Sequence, residues 1–300
     1  MGQGANVGRH EGVWAVMSYQ QPVTGKRGWY GGFVTDGQPS LSAALADMAL
    51  GLASWRIWFT LAWNDIRQKY RGSILGPLWV TLSMAAFTGG IAVVYAAIFK
   101  IDVHAYMPHV AIGMVTWTLI TGLVSETCTA LVAAEGYLRQ VRLPLSVFVN
   151  RVVARNALIL VHHLLIVVVV AIWFDLAVTP VGAVLAIAGL LLLLLGGYGW
   201  GLFLACVCMR FRDVAQIVNT ILTGAFFITP VLWKGDFLDS SHPALRYNPF
   251  QYMVEIVRQP LETGHVSVLN WLVVGGIAVA GLVLGLLVFR ASRPRVTYWI

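Results

Sequence analysis

Charge is the scarcest property of this sequence. Only 11% of its 300 residues are Asp, Glu, Lys or Arg, where a soluble domain carries about a quarter. Acids are the scarcer sign, 13 against 20 Lys and Arg. They are scattered, and no Asp-x-Asp pair occurs. Chemistry that needs clustered acids or a metal therefore has little to work with. Cysteine is nearly absent as well. Cys206 and Cys208 are separated by one residue, and Cys128 stands alone in an apolar run. Neither matches the C-x-x-C spacing of redox or zinc sites, so all three read as small packing residues. His162 and His163 are adjacent, so on a helix they diverge by about 100° and do not share a metal as the pair in H-E-x-x-H does. A phosphate-binding loop is missing too. The sole Gly-Lys, Gly25-Lys26, is followed by Arg27 and lacks the preceding glycine that such a cradle requires. The net charge of +7 does not point to nucleic acid, because the cations flank apolar runs and form no basic face.

What the chain has in abundance is apolar length. It is 58% hydrophobic, with a mean hydropathy of +0.76. Several runs reach the roughly 20 residues needed to cross a bilayer core. Spans built from such runs are helical, because an unpaired backbone group in lipid is too costly. Six are expected, at residues 76–99, 109–133, 146–173, 180–209, 214–233 and 268–289. The fold class is thus all-α and integral to the membrane, with a six-helix domain over residues 73–290 and a tail at 291–300.

Ahead of the spans, residues 1–40 are rich in Gly, Gln, Ser and Pro and are expected to be disordered. They contain no continuous apolar core followed by a small-residue cleavage site, unlike a signal peptide. Residues 41–72 differ. Leu45, Met48, Leu52, Trp55, Phe59, Trp63, Ile66 and Tyr70 recur at helical spacing, with Asp47, Arg56, Asn64 and Arg67 off the stripe. This is an amphipathic helix suited to the membrane interface, or to packing against its own protein. Placing the N-terminal side in the cytoplasm leaves all but four of the 20 cations inside, the exceptions being Lys100, Lys234, Arg246 and Arg258. The positive-inside rule therefore favours both termini in the cytoplasm. The long outer loop is then 234–267, with a short helix around Tyr252, Ile256 and Gln259 stopped by Pro260 and Gly264.

The segment EGYLRQVRLPLSVFVNR, residues 135–151, lies inside between spans two and three. It is too short for a domain. A helix on the membrane surface, ended by Pro144, would turn Arg139 and Arg142 to the cytoplasm and offer Leu138, Val141 and Leu143 to a groove. A plain topology anchor is the alternative. The wider pattern bears on this. KYRGSILGPLWV at 69–80, LRQVRLPLSVFVNR at 138–151, RFRDVAQIVNTILTGAFFITPVLW at 210–233, NPFQYMVEIVRQPLETG at 248–264 and the closing SRPRVTYWI together resemble the ABC-2 type permeases that export O-antigen and galactan polysaccharides. The resemblance covers about residues 45–300.

That resemblance implies a half-transporter in the bacterial inner membrane. It implies a homodimer with a second copy, joined by two copies of a P-loop ATPase that bring ATP and Mg, so that this chain binds no cofactor and is not an enzyme. The substrate would be a lipid-linked polysaccharide. On this family pattern loop 134–146 is the coupling helix, carried by Glu135, Leu138, Arg139, Arg142, Leu143 and Pro144. Trp63, Arg67, Tyr70 and Arg71 line the interfacial gate where the glycan and membrane lipids meet the protein. Arg212 and Asp213 form the cytoplasmic turn, where Asp favours the start of the next helix. Trp117, Glu126, Tyr198, Phe226 and Phe227 are candidates for a glycan conduit, since aromatic faces stack on sugar rings and an intramembrane acid is a functional candidate. Packing is the competing role for each aromatic, and an interhelical bond for Glu126. A permease for drugs or small lipids, and a membrane enzyme acting on lipid-linked sugars, are the alternative functions. Gly197-Tyr-Gly-Trp-Gly201 and Gly281-Leu-Val-Leu-Gly285 are spaced for close helix contacts.

Overall fold

The computed structural model of the protein describes residues 40–73, 75–76, 78–141, 143–235 and 242–296. Among these there is no strand. The helices are α1 (Leu41–Ala53), α2 (Trp55–Lys69), α3 (Leu78–Phe99), α4 (Val103–Thr129), α5 (Glu135–Gln140), α6 (Ser146–Trp173), α7 (Pro180–Arg210), α8 (Asp213–Ile228), α9 (Pro243–Arg246), α10 (Pro249–Glu262) and α11 (Val268–Ser292), with a 3₁₀ turn at Arg293–Arg295. The expected disorder of residues 1–40 falls almost wholly outside the described residues, as do Arg142, the Arg139 side chain and the Tyr-Trp-Ile ending.

Five helices are long and apolar enough to cross a membrane: α3, α4, α6, α7 and α11. The expected fifth span at 214–233 is different. Its helix, α8, is 16 residues long, about 24 Å, which is short of a bilayer core of roughly 30 Å. Thr229 turns extended and Pro230 follows. A proline has no N–H to continue the helix and its predecessor is pushed out of helical geometry. The remaining residues to 233 run as irregular backbone.

α4 is the central pillar. Within its most apolar stretch 78% of residues are buried, against 17% in α3. Tyr106, Val110, Ile112, Trp117 and Leu123 of α4 hold one core against α7, α10 and α11. A second core at the other end of α4 joins Leu131, Ala134, Phe148, Val149, Leu202 and Phe289. Cys128 and Cys208 pack in a third cluster beside Leu204, and all three cysteines are free and buried.

The most extensive pairing is α7 with α11. It depends on glycine, but the spacing distributes the glycines differently from a single shared motif. Gly197 and Gly201 face Leu123 and Thr127 of α4, whereas Gly199 meets the backbone of α11 at Gly281 and Leu282 and Gly196 meets it at Ala278. Gly281 and Gly285 answer it from the other side, against Trp200 and the Gly199 carbonyl. The Trp200 indole N–H donates to the Ile277 carbonyl at 3.0 Å.

The interfacial segment is two helices, not one. α1 ends at Ser54, whose hydroxyl donates to the Leu50 carbonyl at 2.7 Å. Most of the apolar stripe faces away from the protein, although Met48 and Ile66 pack inward. Leu45, Leu52, Trp55, Phe59 and Trp63 are exposed, while Ala44, Asp47, Gly51, Ala62 and Ile66 are buried. α10 also departs from expectation. Pro260 lies inside it, and the helix runs on to Glu262 before Gly264 turns at φ +67°. Gly182 of α7 sits against the Pro260 carbonyl, where no side chain would fit.

Candidate functional site

Loop 134–146 holds the short α5, six residues that end at Gln140. Val141 is already extended. Leu138 and Leu143 are half-buried against the second core, and Pro144 is buried. The outward apolar side chains are instead Tyr137 and Val141. Glu135 stands in the first turn of α5.

Behind the loop lies an ion network that sequence reasoning did not assemble. Arg151 of α6 grips Asp65 of α2 with both arms of its guanidinium, at 2.8 and 2.5 Å. Arg155, one turn on, bonds Asp65 at 3.0 Å and Glu126 of α4 at 2.8 Å. Asn156 donates to the same Glu126 oxygen at 2.6 Å. Glu126 therefore ties α4 to α6 through Arg155 and Asn156. The signal was present: Arg151 and Arg155 are four apart in an apolar helix and need nearby acids.

The proposed gate residues cluster. Arg67, Tyr70 and Arg71 join Asn64 and Gln68 around an open groove, and Trp63 is exposed one turn earlier. At the 212–213 turn both side chains are exposed. Asp213 sits in the first turn of α8, favourably placed at the positive end of its dipole. Among the described residues no ion pair joins it to Arg212.

The conduit candidates separate. Trp117 is buried and packs on Phe226 and Phe250. Tyr198 is half-buried against the second core. Phe227 is 66% exposed. Its helix, α8, has two exposed edges that sequence reasoning missed. One is polar: Gln216, Asn219, Thr220 and Thr223, ending at Phe227. These positions fall within one face at 3.6 residues per turn. The adjoining edge is apolar, with Ile217, Ile221 and Ile228 exposed. Ser125 of α4 borders the polar edge and bonds Asn219 at 2.6 Å.

At the other end of α4, the irregular backbone after α8 is held by side chains. Arg258 of α10, 2% exposed, donates to the Pro230 carbonyl at 2.8 Å and to the Val231 carbonyl at 3.4 Å. The Tyr106 hydroxyl donates to the Leu232 carbonyl, and His109 Nε2 lies 3.3 Å from the Trp233 carbonyl. Asn248 donates to the Thr229 hydroxyl at 2.9 Å. Four consecutive carbonyls thus find partners, as non-helical backbone in a membrane protein requires. Arg258 pairs with Glu255 at 2.9 Å. Sequence position alone made Arg258 an outer-loop cation; its burial is a tertiary fact. Among the described residues no group of three or more His, Cys, Asp or Glu is placed to hold a metal.

Among the described residues, five helices are long and apolar enough to cross a membrane, and ion pairs tie α2, α4 and α6 together at one end. The chain belongs to the ABC-2 type transporter family, whose model matches residues 56–261. Among curated proteins it is similar to the O-antigen export system permease protein RfbA of Myxococcus xanthus, 27% identical over 184 residues, covering 58% of this chain and 66% of that protein. It is also similar to the protein of the same name from Klebsiella pneumoniae, 23% identical over 245 residues, covering 77% and 90%.

Proposed function

We propose that this chain is the membrane permease of an ATP-driven exporter that moves a lipid-linked, O-antigen-like polysaccharide out of the cytoplasm. It works as a homodimer with two separate P-loop ATPase subunits in the bacterial inner membrane, with loop 134–146 and the flanks of the bundle on the cytoplasmic side. Family membership and the names of the relatives support the transporter class and the glycan. The observation that carries the reading is the polar edge of α8. Gln216, Asn219, Thr220 and Thr223 are exposed on an otherwise apolar helix. Uncharged amides and hydroxyls exchange hydrogen bonds with sugar hydroxyls without holding any one sugar tightly, which suits a sliding polymer. The apolar edge beside them suits the second copy. The names of the relatives disfavour a drug or small-lipid permease, and a membrane enzyme would need clustered acids.

Two experiments test this. The first is purification from native membrane in mild detergent with ATP hydrolysis measured on the same sample. A stoichiometric P-loop ATPase supports the reading, and a chain that comes alone and recruits no ATPase defeats it. Within the complex, Arg142→Glu is expected to abolish glycan-dependent ATP hydrolysis while the protein stays in the membrane; normal export by that variant returns the loop to a topology anchor. The second replaces the stripe. Asn219→Leu with Thr220→Leu is expected to cut surface polysaccharide while ATPase binding is retained. Unchanged export would remove α8 from the conduit.

A further inference from the structure

We infer that Asp47 on α1 and Asp65 on α2 are positioning residues that clasp loop 134–146 to the interfacial helices, so that the loop, α1 and α2 move as one body. The functional consequence rests on the reading of that loop as the ATPase contact. The mechanical claim rests on geometry alone.

The first clasp closes on the start of α6. This helix begins directly after Pro144, and its N-cap is Leu145, whose side chain accepts nothing. A helix start leaves several amides without partners. Asp47 supplies what the loop lacks. Its Oδ1 accepts from the Ser146 amide at 3.1 Å and the Ser146 hydroxyl at 2.8 Å. Its Oδ2 accepts from the Leu145 amide at 3.3 Å and from Arg293 Nε, just beyond α11, at 3.2 Å. The carboxylate is 2% exposed, and its charge sits where a helix dipole favours an anion. Such closeness requires a small face on α1, and Ala44, Asp47 and Gly51 form it. Any side chain at Gly51 would run into the Ser146 hydroxyl.

The second clasp starts from the loop's own helix. The Arg151 guanidinium lies over the Tyr137 ring of α5, 5.8 Å from its centroid. The same guanidinium holds Asp65 of α2 through two bonds, and Arg155 reinforces it. Asp65 is flanked by Asn64, and Arg67 and Gln68 lie on the next turn. These are groove residues, with Tyr70 and Arg71 beyond them. The order Tyr137, Arg151, Asp65 is thus a continuous stack from the loop to the gate groove. In sequence these parts are separated by α3 and α4; in space two carboxylates join them. A displacement imposed on the loop reaches the groove without crossing the bundle.

The test uses the full complex in nanodiscs. Spin labels go on α1 and α5 through Leu52→Cys, at an exposed position, and Gly136→Cys, where a side chain meets nothing within 4 Å. In complexes pairing one doubly labelled copy with one unlabelled copy, one narrow distance distribution is expected, unchanged between ATP-free and ATP-bound states. Asp47→Asn with Asp65→Asn is expected to broaden it. In cells the same pair is expected to reduce polysaccharide export by about 5- to 150-fold, the range of a typical coupling between sites, with glycan-independent ATP hydrolysis retained. Asp65→Glu, which keeps the charge, is expected to recover most export. Should Asp47→Asn not accumulate, Asp65→Asn against Asp65→Glu carries the comparison. A distance that shifts with ATP in the unsubstituted protein, or normal export by the Asn variants, overturns the inference. If no ATPase binds even the unsubstituted chain, the proposed function falls instead. The clasp is then judged without nucleotide, where an unbroadened distribution in the Asn variants refutes it.

Discussion

Gly199→Ala is expected to be among the most damaging single-methyl changes this protein can receive. A Cβ at that position would stand 2.5 Å from the Leu282 amide nitrogen, 2.6 Å from the Gly281 carbonyl carbon and 2.8 Å from the Leu282 Cα. All three are backbone atoms, so no rotamer change relieves the overlap. Either α7 and α11 separate along their length or the backbone bends. Close approach through small residues is a main source of helix association in lipid, where apolar burial between helices contributes little. Overpacking of this kind costs about 3 kcal/mol. The control is Gly276→Ala in the facing helix α11, where an added Cβ meets nothing within 4 Å. It is expected to be neutral or slightly stabilising, because Ala is the better helix former by about 1 kcal/mol. Thermal unfolding of both variants in detergent checks the pair. Equal midpoints would mean that α7 and α11 do not meet at Gly199.

Arg258→Met carries the second large effect. The methionine has similar length but no donors. It leaves the Pro230 and Val231 carbonyls without the bonds they receive now and strands Glu255, whose side chain is 17% exposed. Removing one partner of a buried ion pair costs about 3–5 kcal/mol, mostly from the charge left behind. The turn after α8 is expected to loosen and the unfolding temperature to drop. Arg258→Met with Glu255→Leu is expected to recover part of the loss, since the stranded carboxylate is gone while the carbonyls remain unserved. A double variant no better than the single one would place the cost in the carbonyls alone. A single variant as stable as the parent would show that the turn does not depend on Arg258.

These two residues differ in how far the chain itself disclosed them. The glycine-rich stretch around Gly199 is visible as spacing, but its division is not. Gly197 and Gly201 turn to α4 and Gly199 to α11, because helical residues two apart lie on nearly opposite faces. Spacing states only that a helix is lined with small residues; which neighbour each one meets depends on packing. Arg258 was legible only as a cation in a loop between spans. Its burial stems from the kink at Thr229-Pro230, which creates carbonyls in need of a donor. The aromatic conduit candidates show the same limit. Trp117 and Tyr198 are packed inward, while the exposed polar edge of α8 lay unremarked in a run that looked like any other span.

Short-range physics accounts for everything the sequence determined by itself. Apolar runs long enough for a bilayer can only be helices there, so four spans begin within two residues of their expected positions: α3, α6, α7 and α11. The helical period over residues 41–72 was likewise legible, although it read as one helix where the structure has α1 and α2. Tertiary structure alone decided the rest. It broke the interfacial helix at Ser54 and folded α10 back against α7, whereas the local signal of Pro230 is what cut the fifth span to the 16 residues of α8. It also chose the partners of each buried charge. Asp47 and Asp65 read as polar breaks in a helix stripe. They found their roles at Ser146 and Arg151, 99 and 86 residues away. In an apolar medium a charge must find its partner wherever the fold brings one, and a sequence does not record those distances.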